Sequence, residues 1–473
     1  MSGTDVAGPA RPDGPSLVWL RDDLRLGDNP APTAAVERGR PVLLVYVLDE
    51  VSPGIRPLGG AAKWWLHQSL TSLAADTAAL GGRLLLRRGP AGDVIDGLVD
   101  ELGAGAVFWN RRYGAAERDV DTAVKTRLTD AGIVAHSFAG SLLFEPWTIQ
   151  TGGGTPYTVF TPFWRACTNG PPPRAPYPTP DALDAAGTDL PSDDLGSWEL
   201  EPRHPDWAEG LREAWTVGET AAQQSLAAFL DESIGPYGTD RDLPAQQATS
   251  RLSPHLRWGE ISPHQIWQAT DVARRSLTGA AATSATRFLT EVGWREFAYH
   301  VLFHAPDLAT VNLRRGFDAF PWPPLDEQAL AAWQQGRTGF RLVDAGMREL
   351  WRTGSMHNRV RMVTASFLIK NLLIDWRLGE QWFWDTLVDA DPASNAFNWQ
   401  WVAGSGADAA PYFRVFNPEL QATKFDPNNE YVRQNVPEWG TDAYPESIVD
   451  LGETRRAALA AYEQVKAARP TPA

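Results

Sequence analysis

One cysteine, Cys167, stands in 473 residues. A disulfide framework is therefore excluded, and this usage fits a reducing cytoplasm. No apolar run reaches the roughly 18 residues needed to cross a bilayer. The opening MSGTDVAGPARPDGP lacks the apolar centre of a secretory leader; residues 1–14 read as a disordered lead and the closing KAARPTPA as a frayed tail. Positive charge is in deficit: 43 Lys and Arg against 58 Asp and Glu leave a formal charge of −15. That argues against a protein that coats nucleic acid nonspecifically. It leaves room for a local basic patch, because short-range contacts are made by a face and not by a total. Several catalytic signatures are missing as well. No GxGxxG follows the first strand-like run, so an ordinary dinucleotide site is not expected there. No P-loop, HExxH or Ser-His-Asp pattern occurs, nor any internal repeat or low-complexity block.

What is present is a globular chain, 43% hydrophobic and 21% charged, long enough for two or three domains. Between residues 15 and 140, short aliphatic runs alternate with Ala-rich helical stretches. SLVWL (16–20), PVLLVYVL (41–48), RLLLRR (83–88), AVFWN (106–110) and IVAHSF (133–138) alternate with helices over 61–80, 91–102 and 115–132. That rhythm predicts an α/β domain with a five-stranded parallel sheet and right-handed crossovers. Such sheets bind ligands at the carboxyl ends of their strands. Residues 141–220, rich in Pro, Gly, Asp and Trp, read as a long ordered linker with helix only in patches. From 221 to 473 the spacing is helical throughout, with helices expected over 221–234, 262–277, 284–304, 339–354 and 358–388. This half reads as one all-helical domain.

The helical half also holds most of the 21 tryptophans. A single indole is normally a packing residue. Many in one domain suggest either stacked rings that relay an electron or walls for a flat base, and composition does not choose between them. Four shorter clusters carry polar chemistry. In YGTDRDLPAQQATSRLS (237–253), Thr249, Ser250 and Ser253 stand at a helix start, which favours an anion but equally serves as an N-cap. In EVGWREF (291–297), Glu291, Trp294 and Arg295 share a helix face, an arrangement also found in plain surface ion pairs. In SMHNRVRM (355–362), Asn358, Arg361 and Met362 fall on one side of a helix start with Arg359 beside them, and His357 reads as a cap or a packing residue. DADPASN (389–395) sets Asp389, Asp391 and Asn395 in a loop. Two acids could hold a metal, but no further ligand follows at metal spacing, and an acid held by Arg361 is the better reading; no metal site is expected.

Taken together these blocks resemble the photolyase/cryptochrome family, and within it the cyclobutane pyrimidine dimer photolyases of the bacterial class I and class III type. The resemblance spans residues 16 to 440. It is strongest in TGFRLVDAGMREL, MHNRVRMVTASFLIKNLLIDWR, DADPASN and NWQWVAGSGADAAPYFRVFNP, with LVWLRDDLRLGDNPAP matching the family's opening strand and turn. It implies an α/β antenna-chromophore domain followed by a helical domain that binds FAD and DNA.

The resemblance also implies roles by position. Tyr237, Thr249, Ser250, Leu252 and Ser253 match the diphosphate clamp, and Arg295 matches a diphosphate contact. Asn358, Arg361 and Asp389 match neighbours of the isoalloxazine ring, Asp391 a flavin contact, and Asn395 the amide that faces flavin N5. Glu291, Trp294, Asn358, Met362 and Trp401 match the lesion pocket, and Arg241, Arg359 and Arg414 match phosphate contacts to DNA. Trp399, Trp376 and Trp322 match an electron relay, although the segment after Trp322 is longer than in the commonest pattern. Position 288 is Phe where many relatives have Trp. The implied activity is repair of UV-damaged DNA by an electron passed from light-excited reduced FAD to a flipped-out dimer, in a monomer.

Two other functions belong to similar proteins. Plant-type cryptochrome photoreceptors usually carry Asp where Asn395 stands. Photolyases for the (6-4) photoproduct have a histidine where Met362 falls. The antenna choice lies in loops such as RPLGGAAKWW (56–65) and WNRRYG (109–114). These and FEPWTIQTGGGTPYTVFTPFWRA resemble class III proteins, for which methenyltetrahydrofolate is expected, with 8-hydroxy-deazaflavin as the alternative.

Overall fold

The computed structural model describes residues 11, 13–409 and 413–467. Most of the expected lead and the last six residues of the expected tail lie outside the described residues. Five parallel strands, β1 (Ser16–Leu20), β2 (Val42–Leu48), β3 (Leu84–Arg88), β4 (Ala106–Asn110) and β5 (Val134–Phe138), form one sheet in the order β3-β2-β1-β4-β5. The register pairs Leu17 with Leu43 on one side and with Val107 on the other. Every residue of β1, β2 and β4 is buried, because helices cover both faces; this is why those strands read as unbroken apolar runs. β5 is one of the two edge strands, and none of its residues is buried.

Four helices belong to this domain: α1 (Pro30–Glu37), α2 (Gly60–Ala79), α3 (Ala91–Leu102) and α4 (Ala115–Asp130). α1 has no counterpart among the sequence expectations. Its prolines stand in the first turn, where a missing N–H costs nothing and φ is already helical.

The connecting segment contains α5 (Phe160–Asn169), which packs on the longest helix of the second domain, and α6 (Glu209–Ala214). The helical half follows with α7 (Glu219–Ala228), α8 (Tyr237–Asp240), α9 (Ser253–Arg257), α10 (Pro263–Arg274), α11 (Gly279–His304), α12 (Glu327–Gln334), α13 (Arg341–Thr353) and α14 (Asn358–Ser366). It ends with α15 (Trp376–Thr386), α16 (Ser394–Ala403), α17 (Pro418–Phe425), α18 (Glu430–Asn435) and α19 (Leu451–Ala467).

The run expected as one helix over 358–388 is broken. After α14 the chain makes a π-helical turn, Phe367–Asn371, in which all five residues are buried. Leu373 then takes a φ of 51°. The Asp375 carboxylate accepts from the Arg377 N–H at 3.0 Å and starts α15 afresh. The local spacing is helical on both sides, so only the tertiary break reveals two helices.

The two domains meet through buried polar groups. Arg25, 1% exposed, donates to the carbonyls of Asp28, Gly140 and Gly259. Trp65 of α2 donates its indole N–H to Glu260 Oε1 at 3.0 Å, and Glu260 Oε2 lies 2.5 Å from His255 Nδ1. Glu260 is fully buried. Glu260→Ala therefore strands two donors in the interior. It should cost on the order of 2–4 kcal/mol, read as a lower thermal midpoint by circular dichroism; an unchanged midpoint would show that the contact does not hold the domains together.

Candidate functional site

A cavity of about 700 Å³ lies within the helical half. α11 contributes one face of its length. Phe288, Glu291, Trp294 and Arg295 are spaced three and four apart, and all line the cavity. The Arg295 guanidinium lies 4.9 Å from the Tyr299 ring centroid and donates to the Ser141 carbonyl at 2.7 Å, while its Nε is buried without a partner among the described residues. Phe288 packs on Phe229 at 4.6 Å and on Tyr237 at 5.5 Å. Tyr237 of α8 completes this aromatic corner.

Ser250, Leu252 and Ser253 line the cavity before α9, whereas Thr249 is exposed and is not part of the wall. Among the described residues no side chain caps α9. The hydroxyls at 250 and 253 are thus not consumed by the capping alternative that the sequence left open.

α14 supplies Asn358, Arg359, Arg361 and Met362 to the wall. His357 caps this helix, its Nδ1 accepting from the Arg359 N–H at 3.2 Å. Arg361 holds Asp389 through Nη2 to Oδ2 at 2.9 Å and donates Nε to the Met356 carbonyl at 2.6 Å. Asp389 Oδ1 is buried and has no partner among the described residues. Asp391 is fully engaged: Oδ1 accepts from the N–H groups of Ala393 and Ser394, and Oδ2 accepts from the Tyr299 hydroxyl at 2.7 Å.

Asn395 of α16 lines the same cavity, and both of its amide hydrogens are spoken for. Nδ2 donates to the Glu380 carbonyl at 3.0 Å and to Glu380 Oε1 at 2.9 Å.

Trp399 and Trp401, also from α16, are part of the wall. The Trp401 indole N–H donates to the Asp408 carbonyl at 3.1 Å. Trp399 contacts the rings of Phe383 at 5.0 Å and Trp333 at 6.3 Å. Trp376 is buried and outside the wall, with its N–H on Asn312 Oδ1 at 3.0 Å, and Trp322, half-buried, packs on Phe320 at 4.3 Å.

The three arginines expected to face DNA differ in placement. Arg241 lines the cavity and forms an ion pair with Glu291. Arg359 pairs with Asp242 at 2.9 Å and lies over the Phe425 ring. Arg414 is exposed, outside the cavity wall and next to residues 410–412, which are not described.

Three contributors stand outside the expectations drawn from the sequence. Phe160 of α5 stacks on Trp294 with centroids 3.7 Å apart and planes 10° apart, so the connecting segment backs one wall. Arg56, from the loop after β2, reaches Glu380 across the domain boundary. Glu380 is the one that could be found, since it falls four residues after Trp376 and shares its helix face.

The wall fits FAD. It combines arginines and hydroxyls for a diphosphate, an arginine–aspartate pair and a locked amide for the polar edge of a flat ring, and aromatic surfaces for stacking. The unpartnered Asp389 Oδ1 and Arg295 Nε are buried groups of the kind a ligand satisfies. Among the described residues, no group of three or more His, Cys, Asp or Glu could hold a metal ion.

Comparison with known proteins agrees with this geometry. A family model described as the FAD binding domain of DNA photolyase matches residues 288–441, and one described as DNA photolyase matches residues 16–181. The chain is 50% identical to a deoxyribodipyrimidine photo-lyase of Agrobacterium fabrum, covering 96% of this chain and 98% of that protein. It is 36% identical to cryptochrome-1 of Arabidopsis thaliana over 90% of this chain and 63% of the plant protein. The crystal structure of a bacterial class III photolyase from Agrobacterium tumefaciens superposes with a TM-score of 0.92 at 48% identity, covering 98% of this chain and 100% of that one.

One acid beside the site is electrostatically unusual. Glu296 follows Arg295 on α11 and is 2% exposed. Burial pushes its carboxyl up to about 7; Arg295 at 3.8 Å and the N–H groups of Leu143 and Phe144 oppose the shift only in part. The folded chain therefore binds a proton that the unfolded chain, with an ordinary glutamate near 4.5, has released. Stability from this group is complete below about pH 4.5 and is lost as pH rises through about 7. Glu296→Gln, which cannot ionise, should flatten the fall in thermal midpoint between those pH values; a fall as steep as in the parent chain would refute the assignment.

Proposed function

The chain belongs to the DNA photolyase/cryptochrome family, and from that premise we propose that it is a light-driven deoxyribodipyrimidine photo-lyase that splits cyclobutane pyrimidine dimers in UV-damaged DNA. The reading rests on one observation. A single cavity brings the polar set Arg361, Asp389 and Asn395 together with Glu291, Trp294, Met362 and Trp401.

FAD bound there in its reduced form would supply the electron that opens the dimer under blue light and receive it back afterwards. The chain's own residues do the rest. Tyr237, Ser250, Leu252, Ser253 and Arg295 bind the diphosphate side of the cofactor, with Thr249 at the exposed start of that segment. Arg361 sets positive charge beside the ring, and Asp389 holds it in place. Asn358 and Asp391 shape the polar floor. Asn395, with its N–H groups engaged by Glu380, presents only its carbonyl oxygen.

On the substrate side, a dimer must leave the duplex to reach such a cavity. Photolyases as a class are known to act on a base turned out of the stack, and a damaged pair is already poorly stacked, which lowers the extrusion cost. Trp294, braced by Phe160, and Trp401, anchored on Asp408, wall the pocket; Met362 adds a polarizable surface where the other repair branch has a histidine. Glu291 is placed to hydrogen-bond a pyrimidine carbonyl as negative charge develops. It is paired with Arg241 in this structure, so lesion binding exchanges that partner. Arg359 and Arg414, together with Arg241, supply phosphate contacts that a net acidic chain otherwise lacks. Trp399, Trp376 and Trp322 carry electrons inward to the cofactor.

The antenna we assign to the α/β domain is methenyltetrahydrofolate, with 8-hydroxy-deazaflavin as the alternative, and the enzyme acts as a cytoplasmic monomer. No helix among the described residues is long and apolar enough to cross a membrane.

The test is direct. Purified protein with chemically reduced flavin, illuminated with a thymine-dimer oligonucleotide, should remove the dimer without cutting the strand. No loss of dimer, with light-dependent capture of a protein partner, would instead indicate a photoreceptor. Glu291→Ala should lower the repair rate about tenfold while changing lesion affinity less; equal losses in both would make Glu291 a binding residue only. Trp376→Phe should abolish light-driven flavin reduction yet spare repair once dithionite has reduced the flavin. Failure of repair in that reduced variant would overturn the relay.

A further inference from the structure

Glu380 is 2% exposed and lies on α15, behind the cavity wall. Its Oε1 accepts from Asn395 Nδ2 at 2.9 Å and from Arg56 Nη1 at 2.7 Å, and its Oε2 accepts from Arg56 Nη2 at 2.9 Å. Arg56 belongs to the other domain, in the loop between β2 and α2, and its side chain is about one-third exposed.

This loop is clamped to α15 at several further points. The Arg56 guanidinium stacks over Trp384 at 4.1 Å, the Trp384 indole N–H donates to the Pro57 carbonyl at 2.9 Å, and the Gly60 N–H donates to Asp385 Oδ1 at 2.8 Å. Gly59 packs so tightly that an added Cβ would stand 2.2 Å from the Trp384 carbonyl oxygen. Arg56 is therefore delivered to Glu380 by a rigid inter-domain contact, not by a free side chain.

We propose that Arg56 is a positioning residue for Asn395, acting through Glu380, so that docking of the α/β domain sets which face of the amide meets the flavin. The inference rests on the reading above in which Asn395 faces flavin N5.

The physical argument concerns an amide that can rotate by half a turn. In one orientation it offers an acceptor and in the other a donor. Glu380 occupies both N–H groups of Asn395, which leaves the carbonyl oxygen for the cavity. A carbonyl is satisfied by an N–H. Flavin N5 bears hydrogen when reduced and is a bare acceptor when oxidised, so the locked amide favours the reduced cofactor.

The lock depends on a buried carboxylate keeping its charge and its place. Arg56 is the only cation paired with Glu380 among the described residues. Without it the buried charge is uncompensated, and the carboxylate swings toward water. That movement loosens one amide hydrogen of Asn395 and permits the flip.

The measurement is the dark re-oxidation of dithionite-reduced flavin in air, followed by absorbance and normalised to bound FAD. Arg56→Met should accelerate it about tenfold, the equivalent of one hydrogen bond to a charged group. Arg56→Lys, which restores the charge and one bond, should return the rate most of the way to that of the parent chain. A merely structural arginine would lower FAD content or the thermal midpoint but leave the rate per bound flavin unchanged. If Arg56→Met does not hold FAD, Arg56→Gln, which keeps one donor and no charge, carries the test. A parent-like rate in the neutral variant overturns the proposal. Asn395→Ala separates the two levels of inference. If it too re-oxidises at the parent rate, the N5 reading fails; if it re-oxidises faster while the neutral Arg56 variant does not, only the role of Arg56 fails.

Discussion

Arg257 is the contact on which the arrangement of this protein turns. It stands at the end of α9, 6% exposed, and holds three separate parts of the chain at once. Its Nη1 pairs with Asp22 at 2.7 Å, in the turn after β1 of the α/β domain, and its Nε donates to the Ala390 carbonyl at 2.8 Å. Ala390 lies between Asp389 and Asp391, so the same guanidinium fixes the loop that carries both acids. Burial would lower the pKa of this arginine, but Asp22, together with Tyr299 and Asp391, offsets that and holds it above its ordinary value. Asp22 shows the reciprocal effect: burial would raise its pKa, and Arg257, with Arg112 and Arg21, brings it below the ordinary value. A buried charge survives only with such a partner. The charge pair therefore commits β1, α9 and the acidic loop to one geometry before any ligand is considered.

The same logic runs through the cavity. Three of its arginines are matched locally, Arg361 by Asp389, Arg359 by Asp242 and Arg241 by Glu291. A chain with a formal charge of −15 can in this way present arginines to an anion without a basic surface overall. On the proposed reading, phosphates of damaged DNA compete with Asp242 and Glu291 for arginines already held in place. Preorganised side chains lose less entropy on binding than free ones. The Arg361–Asp389 pair differs, because one Asp389 oxygen has no partner among the described residues and so has bonding capacity to spare.

The site also draws on parts of the chain outside the helical domain. Phe160, in the connecting segment, presses flat against Trp294 and fixes the plane of that indole, and Trp164 continues the stack. Arg56 enters from the α/β domain to hold Glu380. A domain whose own sheet bears no dinucleotide motif thus still takes part in shaping the cavity.

Much of this was legible in the residues alone. The α/β half followed from short aliphatic runs alternating with Ala-rich stretches, since a sheet covered on both faces leaves no polar alternation. Glu291, Trp294 and Arg295 could be placed on one face because a helix repeats every three to four residues, and His357 could be read as a cap or a packing residue. Other features were decided only by packing. Residues 358–388 keep a helical period on both sides of a break made by a π turn and a left-handed Leu373, which no local rule marks. Whether the hydroxyls at 250 and 253 cap α9 or face a cavity depends on hydrogen bonds absent from the pattern. Arg56 and Glu380 are 324 positions apart, and Phe160 and Trp294 come from different segments. Periodicity specifies which face a residue occupies on its own element. Which faces meet is settled by burial and charge matching between elements, and that is information only the folded chain contains.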